Sequence, residues 1–487
     1  MTEFLDTLLH YTGMISDHVW GWGPEFLGGL PLMVLLLIGT GILLTFVTGF
    51  VQVRRFLSSS KLVMLGATGK DQSEKEQGDI SPFQALMTAL AATVGNGNIA
   101  GVATAIATGG PGAAFWMWIT AIFGMATKYS EAVLGVKYRK IAEDGTMSGG
   151  PMYYCQEGIG GRFGKGLGIM FAVSGGIAAL IGTGNIFQSN SMAVAFYSQY
   201  SIPQWVTGVV ISALTGLVII GGIKRIGVVA ERLVPSMIIL YFLGAIAVLL
   251  INAPEIPAAF VLIFQSAFSP QAAFGAAVGI GVQQAVRFGV ARGILSNESG
   301  LGTAPIAHGA ARTKDPVRQG SIAMMGTFID TIIVCTLTSL VIVVTGSYQE
   351  SIFMQGEEVG LTSTALTSEA FNRSLPSVGG LQFGGLIVTL GSFLFGLSTL
   401  IGWSYYGQQC AEYLFGVRIV RGYRILFVLL LFLGSLPTGA HVQIVTNIGD
   451  IGNALMAIPN LIGLLFLSGI VRQLTIESYR KKESLIS

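Results

Sequence analysis

The chain is 487 residues long, of which 52% are hydrophobic and 11% charged, and its formal net charge is +2. Soluble domains carry about 25% charged residues, so this composition excludes a water-soluble globule. A balance so near neutral, with its cations scattered over short loops, also excludes the gathered basic face of a nucleic-acid binder.

The first 27 residues hold no Lys or Arg, unlike the positive start of a cleavable signal peptide, and Trp20 and Trp22 suit an interfacial collar ahead of the first span. Runs of about 20 apolar residues, enough to cross roughly 30 Å of hydrocarbon, mark transmembrane helices. They fall at 28–50, 83–108, 111–137, 166–190, 203–223, 226–251, 256–295, 317–346, 380–413, 422–438 and 442–471, which predicts eleven helices. The run at 256–295 is too long for one simple crossing, and Gly275, Gly279 and Gly281 interrupt it, so it reads as one broken helix.

Loop charge sets the orientation, because Lys and Arg in short loops mark the cytoplasmic side. Arg54, Arg55, Lys61, Lys137, Arg139, Lys140, Lys224, Arg225, Arg312, Lys314, Arg318, Arg418 and Arg421 all fall in loops on one side, together with the 472–487 tail. Loops 191–202 and 252–256 on the other side carry none, and 347–378 has Arg373 alone among several Glu residues. The expected arrangement is N-terminus outside and C-terminus cytoplasmic, in the bacterial inner membrane.

Within the second span, TVGNGNIAG places Gly95, Asn96, Gly97, Asn98 and Gly101 at mid-depth. Gly weakens a helix and Asn is costly in lipid, so both call for a reason there. Unwound backbone at that depth survives only inside protein or along a cavity, where free N–H groups attract a carboxylate and free carbonyls a cation. A zwitterion and Na+ both match. Close helix packing is the alternative explanation of the glycines and accounts less well for the asparagines. A dinucleotide fingerprint fails, since the spacing is GxGxxxG and no βαβ unit surrounds it. A second interruption at Gly279, Ile280 and Gly281 would make each break the first helix of a five-helix set, over 83–251 and 256–471. An odd number of crossings per set inverts the two halves. The span 28–50 is then an added N-terminal helix.

The blocks TVGNGNIAGVATAIATGGPGAAFWMW, GGPMYY at 149–154, GVARGILSNESGLGTAP at 289–305, FID at 328–330 and LSTLIGWSYYG at 397–407 resemble the alanine or glycine:cation symporter family. The resemblance implies an all-α polytopic membrane protein of LeuT-like fold, two inverted five-helix repeats plus an extra helix, acting as a monomer. It implies symport of small neutral amino acids with Na+, or H+, as coupling ion. By position, substrate would meet the backbone at Thr93, Gly95, Asn96 and Gly97, with Gly279 and Gly281 closing the site and Gln188 and Trp403 against the substrate. Such a narrow cleft would limit the side chain to about a methyl group. The carbonyls of Ala91 and Val94 with the hydroxyls of Ser398 and Thr399 would cage Na+, while Asn98 could ligate another ion or cap the half-helix.

Asp330 lies deep in its span, where an ionisable side chain is a functional candidate; it could bind a cation, carry a proton or pair with a base. Lys128 and Glu131, three apart on one helix face, read as a structural pair that snorkels to the inner interface. Arg287 and Arg292 read as lining the cytoplasmic vestibule or pairing with acids. Cys155, Cys335 and Cys410 are odd in number and isolated, which suggests neither a disulfide framework nor a zinc site.

An ATP-driven pump lacks its phosphate loop, since GIGGRFGKG has Ile159 and Gly166 where GxxxxGK[ST] needs Gly and Ser or Thr. Neither HExxH nor GxSxG occurs, which counts against an enzyme. A channel remains the non-carrier alternative, separable by saturable, ion-coupled uptake.

Overall fold

A computed structural model describes residues 2–23, 31–69, 76–182, 184–268, 282–354, 357–361, 363–436 and 441–483. They are overwhelmingly helical, with three short antiparallel hairpins confined to connections. Among the described residues five helices are long and apolar enough to cross a bilayer, or six when the bent pair Pro82–Thr93 and Gly97–Gly109 counts as one. Shorter apolar helices occupy Leu32–Val47, Gln204–Ile219 and Ala253–Phe268.

The bent pair starts with a strong local signal. Ser81 caps the helix in a capping box with Gln84, and Pro82 fills the first turn, where no N–H is needed. Helix then runs to Thr93, breaks over Val94–Asn96, and resumes through a wide turn at Gly97–Gly101 at an angle of 53°. The helix Gly112–Lys137 returns beside it.

The predicted span 166–190 is corrected to two helices, Gly161–Leu180 and Ile186–Tyr200. Backbone crowding explains the break, because a Cβ on Gly182 would collide with Gly449 Cα, and one on Gly184 would lie 2.8 Å from the Trp403 ring. Asn185 and Asn190 then donate to the carbonyls of Phe427 and Gly434 and fasten the resumed helix to Val420–Ser435.

The run 256–295 also divides, into Ile256–Phe268 and Val282–Asn297. Gly275, Gly279 and Gly281 lie outside the described residues. The described residues show another interruption slightly later, over 298–303, before helix resumes at Ala304–Gly309. Three of its residues have left-handed backbone, Glu298 at φ 55°, Gly300 at 93° and Gly302 at 83°, a region that Gly enters freely and Glu does not.

Of the two expectations for Arg287 and Arg292, the vestibule on the Arg139 side does not fit, whereas pairing with an acid agrees with the surroundings of Arg292. The helix Val282–Asn297 begins against Gly109, whose added Cβ would meet Gln284 O and Ala285 Cα, so these arginines lie toward the end of the bundle opposite Arg139. Arg287 rests against Phe288 and Gly21, and Arg292 is within electrostatic reach of Asp450.

The central column is the helix Phe383–Phe415, 33 residues and so roughly 50 Å long. It presses on the first break. A Cβ on Gly402 would sit 2.7 Å from both the nitrogen and the Cβ of Ala92. Replacing Gly402 by Ala should therefore overpack this crossing and cost about 1–3 kcal/mol, seen as a lower thermal midpoint in detergent. Gly422, with nothing within 4 Å of its added Cβ, is the control, and Gly422→Ala should leave the midpoint unchanged or raise it.

Candidate functional site

Breaking the helix at Val94–Asn96 frees backbone groups at the centre of the bundle, and side chains from four other elements converge on them. From Phe383–Phe415, Ser398 Oγ donates to Val94 O at 3.3 Å, and a Cβ on Gly95 would collide with Thr399 Oγ1. Both hydroxyls also donate to Phe395 O at 2.9 Å. Val94, Gly95, Ser398 and Thr399 are thus brought together, all buried, while Ala91 is buried about one turn earlier on the same half-helix.

Asn96 has other partners. Its amide nitrogen donates to Gln188 Oε1 at 3.1 Å, and its oxygen accepts from Ser392 Oγ at 2.6 Å. Three helices therefore meet through one side chain. Gln188 is in place only because the helix Ile186–Tyr200 starts after its own break, a position that a continuous 166–190 helix would not provide. Thr93 is buried at the end of the first half-helix, and Gly97 faces Ser296, whose Cα is 3.8 Å from an added Cβ.

Asn98 holds the break closed on the other side. Its Oδ1 accepts from Gly95 N at 2.9 Å, while its Nδ2 donates to Asp330 Oδ1 at 2.7 Å and reaches Asp330 O at 3.2 Å. Asp330 belongs to a wide-turn stretch, Phe328–Cys335, inside the helical run Pro316–Val344. Such stretches recur at functional sites because they redirect side chains and loosen carbonyls. The carboxylate is fully buried and accepts also from Ser296 Oγ at 2.9 Å and Thr331 Oγ1 at 2.7 Å. No ion pair to it is present among the described residues.

The second interruption holds a group that sequence reading passed over. Glu298, 4% exposed, accepts from Trp403 Nε1 at 3.0 Å on one oxygen and from Thr303 Oγ1 at 2.5 Å on the other. Trp403, one turn along from Thr399, is thereby fixed between Glu298, Gly184 and the edge of Tyr406. The available signal was SNESGLG itself, an acid set between small residues and two glycines within an apolar stretch.

Lys128 and Glu131 depart from the expected snorkelling pair. Lys128 is 3% exposed, and its ammonium has no hydrogen-bond partner among the described residues. Glu131 instead accepts from the amides of Gly300 and Gly302, each at 3.1 Å, and from Asn460 Nδ2 at 2.7 Å, so it braces the second interruption. The helix Gly112–Lys137 is packed on this face by Val282–Asn297 and Pro316–Thr327, which keeps Lys128 from reaching the interface. The ammonium lies within electrostatic reach of Glu131, Glu298 and Asp330.

This arrangement, two interrupted helices facing each other across buried oxygen clusters, can be set beside known proteins. The sodium:alanine symporter family matches residues 14–485. Sodium/alanine symporter AgcS of Methanococcus maripaludis is 48% identical over 94% of this chain and 94% of its own length. A protein of Bacillus subtilis named "Probable sodium/glutamine symporter GlnT" is 35% identical over 95% of this chain and 89% of its own. Among solved structures, MhsT in complex with L-phenylalanine is similar at a TM-score of 0.53 and 13% identity, covering 83% of this chain and 99% of that one. A mutant of the Eremococcus coleocola manganese transporter is similar at 0.50 and 14% identity, covering 82% and 81%. At such identities these two structures speak for the fold alone, which is LeuT-like. The near full-length match shows that this chain belongs to the sodium:alanine symporter family.

Proposed function

We propose that the protein is a sodium-coupled symporter that brings small neutral amino acids, alanine and glycine, into the cell by alternating access across the bacterial inner membrane. The observation that carries this reading is the break at Val94–Gly97, flanked by the Ser398–Thr399 hydroxyls on one side and by Asn98 and Asp330 on the other. Freed N–H groups suit a substrate carboxylate and freed carbonyls a cation, so one interruption serves both ligands.

In this reading Thr93, Gly95, Asn96 and Gly97 hold the backbone of the amino acid, with Gln188 and Trp403 bounding its side chain. Gly279 and Gly281 keep their proposed closing role. Ala91, Val94, Ser398 and Thr399 hold one Na+. Asp330, with Asn98 and Ser296, is the candidate for a second cation or for a proton. Charge supports a cation here, because three buried carboxylates, Glu131, Glu298 and Asp330, face one ammonium, Lys128. With all of them ionised the cluster lacks two positive charges, and uncompensated charge at this depth is costly.

The order of eleven spans, with repeats over 83–251 and 256–471, an added helix at 28–50, the N-terminus outside and the 472–487 tail cytoplasmic, belongs to the same proposal. The relative named for sodium and alanine supports the substrate class, and the one named for glutamine sets the larger alternative. One Na+ moving down about 100 mV releases about 2.3 kcal/mol, and a tenfold gradient about 1.4 more. Together these sustain roughly 500-fold accumulation of a neutral substrate.

Uptake of radiolabelled alanine into proteoliposomes at fixed pH tests this. An inward Na+ gradient should stimulate uptake, and the Ser398→Ala, Thr399→Ala double variant should lose the stimulation. No uptake under either a Na+ or a proton gradient would overturn the substrate assignment. Asp330→Asn keeps the shape but removes the charge, and should raise half-saturating Na+ by at least about tenfold. An unchanged dependence of uptake on both Na+ and pH would remove Asp330 from coupling. Glu298→Ala should raise the KM for alanine roughly 10- to 100-fold, because the indole loses a charged acceptor, whereas Glu298→Gln, which still accepts from Trp403, should recover most of it. Equal KM values in the two variants would show that the hydrogen bond does not set the position of the ring.

A further inference from the structure

Just beyond the helix Leu32–Val47 the chain turns sharply at Phe50, which is left-handed at φ 58°, and continues through Val51–Arg54 into the helix Phe56–Ala67. Here the described residues form a recess of about 410 Å³ lined by Arg54, Arg55, Lys61, Arg318, Asp315 and Tyr479 among others. Among the described residues, Arg54, Arg55 and Lys61 thus share this recess with one acid. The acid is already committed, since Asp315 Oδ1 accepts from the amides of Val317 and Arg318 at 2.9 and 3.2 Å and caps the helix starting at Pro316.

Two of these cations are held close together. The guanidinium carbons of Arg54 and Arg55 lie 4.6 and 4.5 Å from the centre of the same ring, that of Tyr479 on the terminal helix Ser468–Glu483, and Arg55 donates to the adjacent Ser478 Oγ at 2.8 Å. Cation–π contacts hold each group in place but do not neutralise it. Among the described residues, no salt bridge joins Arg54, Arg55 or Lys61 to a carboxylate, and Arg55 Nε is buried without a hydrogen-bond partner. Like charges gathered on a shared ring raise one another's energy, and a bound anion would relieve it.

The surroundings identify the anion. Val53, Leu57 and Met64, on the same segment, are 70, 83 and 69% exposed. A free phosphate has no use for such side chains, while a phospholipid places its headgroup phosphate among the cations and its acyl chains along the apolar residues. Basic recesses beside membrane helices at the cytoplasmic face recognise anionic lipids in this way. We propose that this recess is a binding site for the phosphate of an anionic phospholipid of the cytoplasmic leaflet, clamped between the 50–67 segment, the start of helix Pro316–Thr327 and the terminal helix. The proposal rests on the membrane orientation given above and is independent of which amino acid is carried.

The test uses the purified full-length protein in detergent, with its thermal midpoint followed as dioleoylphosphatidylglycerol is titrated in, and with dioleoylphosphatidylcholine and inorganic phosphate as parallel titrants. The expected result is a rise in midpoint with phosphatidylglycerol alone. Arg54→Gln with Lys61→Gln should require roughly thirtyfold more of that lipid for the same rise, the weight of two charges at a membrane surface. If the double variant does not fold, Lys61→Gln alone should require roughly fivefold more. Equal lipid dependence in variant and wild type, or no rise in either, overturns the site. An equal rise with inorganic phosphate assigns the recess to the free ion and overturns the lipid. Since the midpoint is read without substrate, failure here leaves the symport reading untouched, and failed uptake leaves the lipid result readable.

Discussion

A carboxamide side chain occupies the point where two departures from helical geometry meet. Asn98 satisfies the orphaned amide of Gly95 with its oxygen and, with its nitrogen, reaches the carboxylate of Asp330 on a neighbouring helical run. Removing it would leave a buried N–H and part of a buried carboxylate unpaired, each at a cost of about 1–3 kcal/mol or more. Other groups of the centre gather around this link. Ser296 comes to Asp330 from the helix ending at Asn297, and Ser398 and Thr399 reach the far side of the same break.

The second interruption is braced differently. A carboxylate, Glu131, gathers the amides of Gly300 and Gly302, and Asn460 joins them from the helix His441–Phe466 while accepting from Tyr154. The second break thus draws on an acceptor from a distant helix as well as the local Asn297, whose Oδ1 accepts from Ser299 N, whereas at the first the acceptor for Gly95 N is the local Asn98. Glu298 ties the second break to the central column through Trp403. Both devices answer the same constraint, that polar backbone in a bilayer must be satisfied by protein.

Much of this was legible in the sequence wherever composition carries the physics. Glycine beside asparagine in an apolar run located the break at 95–98, and the depth of Asp330 marked as a candidate a residue that Asn98 touches. The division at 181–185 was not legible, because its cause is Gly449 and Trp403 approaching from distant parts of the chain. A hydropathy run cannot report such a contact. The same limit hid Glu298. It follows a helix and precedes two glycines, which in one dimension resembles an ordinary helix end, and only the fold turns its carboxylate inward. Lys128 misled for a related reason: its sequence distance to the helix end suggested an interfacial ammonium, and the packing of two neighbouring helices keeps it in the interior.

The mismatch between three buried acids and one buried base bears on the part of the cycle in which nothing is carried. Lys128 is covalently attached and returns with the protein, whereas in the proposed cycle the coupling cations are released inside. In that cycle the unloaded carrier, if its carboxylates stay ionised, bears a surplus of negative charge that bound cations reduce in the loaded form. An interior-negative membrane would push that empty form outward, about 2.3 kcal/mol for each charge crossing 100 mV. Voltage would in that case act on resetting the site rather than on delivering the cargo, and turnover would follow the potential even when substrate and sodium are saturating.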